Sequence, residues 1–151
     1  MIRIAALMKT RHFIKAIDHD KIVAAIREAE AHTSGQIRVF VSHHKTHDAL
    51  RSARQSFAKL KMNQTALHNA VLIFVAPVSH QFAVVGDTAV QTKCGEDFWR
   101  TVIAEIQPGM KQGDFTGALI HGVEKVGSVL ATHFPADSNT KDNLSDAVFE
   151  G

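Results

Sequence analysis

The stretch VSHHKTHD, residues 41–48, packs three histidines and an aspartate into six positions. Imidazole nitrogens and a carboxylate are ordinary ligands for zinc or nickel. His44 and His47 can share one ion if the loop turns helically, with Asp48 as a third ligand. That spacing spans a loop and the start of a helix, whereas metal-binding histidine pairs usually need a fixed backbone. A solvated loop is therefore the first reading, and a metal site the second. Another set of polar residues is scattered along the chain: Thr33, Ser34, Gly35 and Gln36, then Thr65, His68 and Asn69, then Gly86 and Asp87. Hydroxyls, amides and one carboxylate suit a hard cation, and a neighbouring helix N-terminus suits a phosphate.

Whether those residues meet depends on the elements that carry them. Asp18 or His19 opens a helix to about His32, with Ile22, Ile26 and Ala29 on its apolar face. Thr33-Ser34-Gly35 ends it, with Gly35 as the left-handed stop. IRVFVS alternates as a strand, and Asp48 caps a helix whose stripe is Leu50, Ala53, Phe57 and Leu60. Residues 70–76, AVLIFVA, read as a strand buried on both faces. A short PVSH turn leads to a third strand, FAVVG. Two helices follow, over about 88–106 and 115–133, separated by Pro108-Gly109.

A helix between the first two strands makes them parallel, and a short turn makes the third antiparallel. The entries of strands one and two and the exit of strand three then share one sheet edge. Thr33 to Gln36, Thr65, His68, Asn69, Gly86 and Asp87 converge there, while His44 and His47 lie at the opposite edge. Each convergent residue also has a plain role, since Ser, Thr, Asn and Asp commonly cap helices and turns. The fold expected is a three-layer α/β/α sandwich with a short mixed sheet, Rossmann-like in appearance. Residues 1–17 form an N-terminal extension, 18–135 the α/β domain, and 136–151 a mobile tail without periodicity.

Several function classes are disfavoured. Lys and Arg total 17 against 15 acids, and a formal charge of +2 gives no field for nucleic acid. One cysteine, Cys94, excludes an internal disulfide or a cysteine-rich zinc site, and its apolar helix position suits the core. There is no P-loop, no Ser-His-Asp order and no paired carboxylates. The apolar run IAALM is shorter than a signal peptide requires, and no segment approaches a membrane span. The expectation is a soluble cytoplasmic protein that does not insert in a membrane, with Met8 as good a start codon as Met1.

The stretches AIREAEAHTSGQIRVFVS, FAKLKMNQTALHNAVLIFVAP, FAVVGDTAV, Phe98-Trp99, FTGALIHGVEKVGSVLATHFP and DNLSDAVFEG follow one another from about residue 17 to the end. As an ordered set the chain resembles the TPM-domain family, which includes thylakoid-lumen proteins of photosystem II repair and bacterial relatives. The resemblance implies an α/β/α sandwich. It also implies a divalent cation such as calcium in some members, phosphatase activity in the plant lumenal branch, and membrane-protein assembly or repair in others. The family's polar motif positions match Thr33, Gly35, Asn69 and Asp87. Three positions depart from it: Gln36 where close relatives often have Glu, His68-Asn69-Ala70 where they often read Arg-Asn-Gly, and Ala89 where they often have Gly. A lost carboxylate weakens a hard-cation site, and a lost Arg removes a bidentate phosphate donor.

Two readings result. One is a non-catalytic binding or assembly module for another protein, with a weak divalent-cation site at the Thr33/Asn69/Asp87 edge. The alternative is a metal-assisted phosphatase acting on phosphate monoesters, with Asp87 as its catalytic or metal-binding group.

Overall fold

The computed structural model describes residues 10–136 and 148–151. Strand β2 (Ala70–Ala76) has every residue buried, as its unbroken apolar run requires. It pairs in parallel with β1 (Gln36–Val41), from Gln36↔Ala70 to Val41↔Val75. On its other side β3 (Gln81–Gly86) runs antiparallel, from Val71↔Gly86 to Ala76↔Gln81. Strand β4 (Val148–Glu150) adds in parallel to β1, giving the order β3-β2-β1-β4.

Helices cover both faces. One face packs Ile37, Val39, Ile73, Phe82 and Val84 against α2 (His19–Glu30), α5 (Phe98–Gln112) and α6 (Phe115–His133). The other packs Leu72, Phe74, Ala83 and Val85 against Ala49, Ala53 and Phe57 of α3 (Ala49–Lys59). The three-layer α/β/α sandwich and its mixed sheet are therefore as the sequence suggests. Asp18 caps α2 through Lys21 N–H, and Asp48 caps α3 through Arg51 N–H, both at 3.1 Å.

The structure departs from expectation where local signals are short or ambiguous. A seven-residue helix α1 (Thr10–Ala16) precedes α2, and Phe13 and Ile17 lie in the main core. The Phe13 and Phe115 rings are 4.8 Å apart, so this part of the N-terminal extension is built into the domain. It is too short to show a helical period. Residues 137–147 of the expected mobile tail lie outside the described residues, but Val148–Glu150 form a strand. There Phe149 covers the buried Arg38, whose guanidinium carbon stands 4.1 Å from the ring centroid.

The single helix expected over 88–106 is two, α4 (Thr88–Cys94) and α5, broken at Gly95 with φ +80°. Pro108 does not separate helices but sits inside α5, which stops at Gly113 in the left-handed region. Pro108 and Ala104 are both exposed, so water can take the carbonyl that lacks an N–H partner. Gly35 is not left-handed either. An added Cβ there would stand 2.8 Å from Leu130 Cδ1 and 3.1 Å from the Asn69 carbonyl, so close approach accounts for this glycine.

Helices α2 and α6 touch at another such glycine. A Cβ on Gly127 would come 2.6 Å from Ala29 Cβ. Gly-to-Ala exchange inside a helix ordinarily stabilises by about 1 kcal/mol, but overpacking costs about 1–3 kcal/mol. Gly127→Ala is expected to lower the urea midpoint, and a raised midpoint would show that the α2–α6 contact yields easily.

Candidate functional site

The strand directions bring the entries of β1 and β2 and the exit of β3 to one edge, where α4 also begins. Thr33 is fully buried there. Its hydroxyl donates to the Phe134 carbonyl and accepts from Gly35 N–H at 3.0 Å. The neighbouring Ser34 N–H donates to the same Phe134 carbonyl at 2.9 Å. Thr33 thus ties the end of α6 to the entry of β1, with its proton and one of its two lone pairs engaged. Ser34 Oγ accepts from Asn69 Nδ2 at 3.1 Å, linking the entries of β1 and β2. Gln36 is buried, with its amide nitrogen 3.5 Å from the Gly35 carbonyl.

Asp87 is the carboxylate of this edge and is 8% exposed. Its Oδ1 accepts from Thr88 N–H at 2.8 Å and caps α4, while its own N–H donates to the Ala70 carbonyl. Its Oδ2 is buried and has no hydrogen-bond partner among the described residues. The nearest basic atom is His68 Nδ1 at 3.4 Å, outside hydrogen-bond geometry and an ion pair only with the imidazole protonated. His68 holds φ +51°, and its N–H and carbonyl tie back to Thr65 and Ala89. Thr65 Oγ1, on the same approach to β2, is also buried, with no hydrogen-bond partner among the described residues. The Gly86 carbonyl accepts from Gln91 Nε2 at 3.1 Å.

The histidine-rich stretch lies at the other end of β1. His43 Nε2 stands 3.0 Å from Glu150 Oε2, and its N–H donates to the Gly151 carbonyl. His44 N–H donates to Ser42 Oγ, and the His44 and His47 side chains are exposed. Among the described residues no three His, Cys, Asp or Glu side chains gather as metal ligands, His44, His47 and Asp48 included. Burial pushes the Cys94 thiol up, against a smaller opposing effect of Lys93, so it is a poor nucleophile at neutral pH.

The comparisons with known proteins fit this architecture. The TPM domain model matches residues 7–129. The chain belongs to the TPM-domain family. The solution structure of BA42 from the psychrophilic bacterium Bizionia argentinensis is 39% identical, with a TM-score of 0.82 over 88% of this chain and 92% of that one. The N-terminal domain of cg2496 from Corynebacterium glutamicum shares the fold at 20% identity, with a TM-score of 0.60 over 82% of this chain and 77% of that one. The search of curated proteins gave no match. Among the described residues, no helix of this TPM domain is long and apolar enough to cross a membrane.

The separation of Thr33 from the rest of the edge is testable. Thr33→Val strands the Gly35 N–H under cover and leaves the Phe134 carbonyl with Ser34 N–H as its donor, and is expected to cost about 1–3 kcal/mol in denaturant unfolding. Thr33→Ser should recover most of that loss. Neither substitution should alter ion binding at Asp87, and an altered affinity in the folded Ser variant would return Thr33 to the donor set.

Proposed function

We propose that this TPM domain is a non-catalytic binding or assembly module whose polar sheet edge takes a divalent cation weakly through Asp87. The buried Asp87 Oδ2, with no hydrogen-bond donor among the described residues and His68 Nδ1 at 3.4 Å, carries this reading. A carboxylate oxygen under protein cover without a donor costs on the order of 1–3 kcal/mol or more, which a positive partner offsets. The oxygens at hand are of the hard type that calcium and magnesium prefer: Asp87 Oδ2, Thr65 Oγ1, Ser34 Oγ and the Asn69 amide oxygen. Only Asp87 among them is charged. Affinity follows ligand charge, so the expected dissociation constant is on the order of 10⁻⁴–10⁻³ M.

The same donor set argues against the alternative, a metal-assisted phosphatase. Such chemistry needs a cation fixed firmly enough to polarise a phosphoryl oxygen and orient the attacking water. With Gln36 and His68 at positions where close relatives often carry Glu and Arg, a second carboxylate and a bidentate phosphate donor are both missing. A partner protein is the better expectation for a domain with binding groups and no assembled catalytic set.

The test is a thermal-shift and calorimetric titration with Ca²⁺, Mg²⁺, Mn²⁺ and Zn²⁺, on wild type and Asp87→Asn. Asparagine caps helices as well as aspartate does, so the variant should fold. An ion at a hundred times its dissociation constant should stabilise wild type by about 2.7 kcal/mol, and the variant much less. Equal stabilisation of both would move the ion away from Asp87. Phosphomonoester turnover that vanishes in the folded variant would overturn the binding-module reading in favour of the phosphatase.

A further inference from the structure

Strand β3 is an edge strand, yet Phe82 and Val84 are only 2% and 4% exposed. It lies at the floor of a groove of about 940 Å³, walled by α3 on one side and by α5 with the α4–α5 connection on the other. The register fixes which backbone groups face this groove. Asp87 N–H donates to the Ala70 carbonyl, so the pairs 72/85, 74/83 and 76/81 exchange hydrogen bonds in the antiparallel alternation. The N–H and C=O groups of Phe82, Val84 and Gly86 then point outward. The Gly86 carbonyl is met by Gln91, but those of Phe82 and Val84, with their N–H groups, have no partner among the described residues. Sheltered backbone groups left unpaired are rare, and a recessed free edge is the template that strand addition uses.

The walls differ in chemistry. Helix α3 contains Arg51, Arg54 and Lys59 and no acidic residue. Arg54 reaches the groove beside Leu50 and forms no ion pair among the described residues. The opposite wall offers Trp99 and Ile103, with Glu96 on the connection before them; the cation on that wall, Arg100, lies 3.5 Å from Asp97 and over the Trp99 ring. Leu50 and Trp99 are two of the three large apolar residues most exposed among the described residues, at 41% and 44%. Asp48 also lines the groove, but its carboxylate is engaged at the N-terminus of α3.

We propose that the groove takes an extended segment of a partner protein, which adds as a fifth strand along the outer edge of β3. Side chains alternate along a strand. One set meets Trp99 and Ile103 and is apolar, while the other meets α3 and carries a carboxylate for Arg54. The six residues of β3 set the length of the segment, about 20 Å at the usual rise. A second copy of this chain is a poorer occupant, because its own β3 is equally recessed behind the same two walls. The inference rests on the reading of the domain as a binding module and names the kind of partner, but it does not involve the cation.

The probe is the synthetic peptide VEVEVEV, with VKVKVKV as its charge-reversed control. Each is titrated to about 1 mM into ¹⁵N-labelled protein, a range that captures weak peptide binding. VEVEVEV should shift the Phe82 and Val84 amides and the Trp99 indole saturably, and should slow exchange of those two amides toward the rates of Ala83 and Val85. Arg54→Glu, on an exposed helix position, should weaken VEVEVEV about fivefold and favour VKVKVKV. Trp99→Ala should weaken both by about tenfold or more. The proposal is overturned if VEVEVEV gives no saturable shift at Phe82 and Val84, or binds with equal affinity to Arg54→Glu. It also falls if those amides are already protected by concentration-dependent self-association, which would make a second copy the occupant. Asp87-dependent phosphatase turnover would remove the binding-module reading while leaving these peptide shifts to be judged separately.

Discussion

A strand buried on both faces and paired on both sides leaves little freedom to the chain around it, and Ala70–Ala76 is such a strand. Its backbone groups must be met by neighbours, because leaving them unpaired in the interior costs as much as a lost hydrogen bond. Both of its faces need an apolar cover, which places helices above and below the sheet. The crossover through α3 makes β1 parallel to it, and the short turn at Pro77–Ser79 makes β3 antiparallel. From these constraints follows the convergence of the β1 entry, the β2 entry and the β3 exit at one edge. Asp87 is fixed there twice, through its backbone on Ala70 and its side chain on Thr88.

That central constraint was legible because it is local. Seven consecutive apolar residues bounded by Asn69 and Pro77 announce a buried strand, and Asp18, Asp48 and Asp87 announce the helices they cap. The features that escaped depend on distant partners or on few residues. Three residues of β4 are too few to show alternation, and their place is set by pairing with β1 more than a hundred positions earlier. Gly95 and Pro108 look alike as helix breakers, but only Gly95 stands at φ +80°, while Pro108 falls on an exposed face that tolerates it. The role of Thr33 could not be read at all, since its acceptor, the Phe134 carbonyl, is 101 residues away.

The candidate site shows the same division. Sequence pattern brought Ser34, Asn69, His68 and Asp87 to one edge, and geometry then sorted them by what their atoms have left to give. Thr33 and Gly35 secure the corner, and Gly86 has its carbonyl met by Gln91. Asp87 Oδ2 and Thr65 Oγ1 retain capacity under cover. The groove beside β3 had no sequence signal of its own. Leu50 belongs to the apolar stripe of α3 on paper, but among the described residues no further strand lies next to β3 and Leu50 lines the groove there.

The histidine-rich loop gains its explanation from the same topology. Leaving β1, the chain must turn toward α3 while passing both the β2–β3 turn and the end of β4. Thr46 N–H donates to Ser79 Oγ at 2.8 Å, which fixes the loop to that turn, and Thr46 Oγ1 lies 2.6 Å from Ser52 Oγ in α3. His43 meets Glu150 and Gly151 at the end of β4, and Asp48 caps α3. Three polar loop residues, His43, Thr46 and Asp48, thus join three elements at a corner where the loop is largely exposed. His44 and His47 project from that corner without a common third ligand among the described residues. Among the described residues, then, three histidines close in sequence do not gather into a set of three metal ligands.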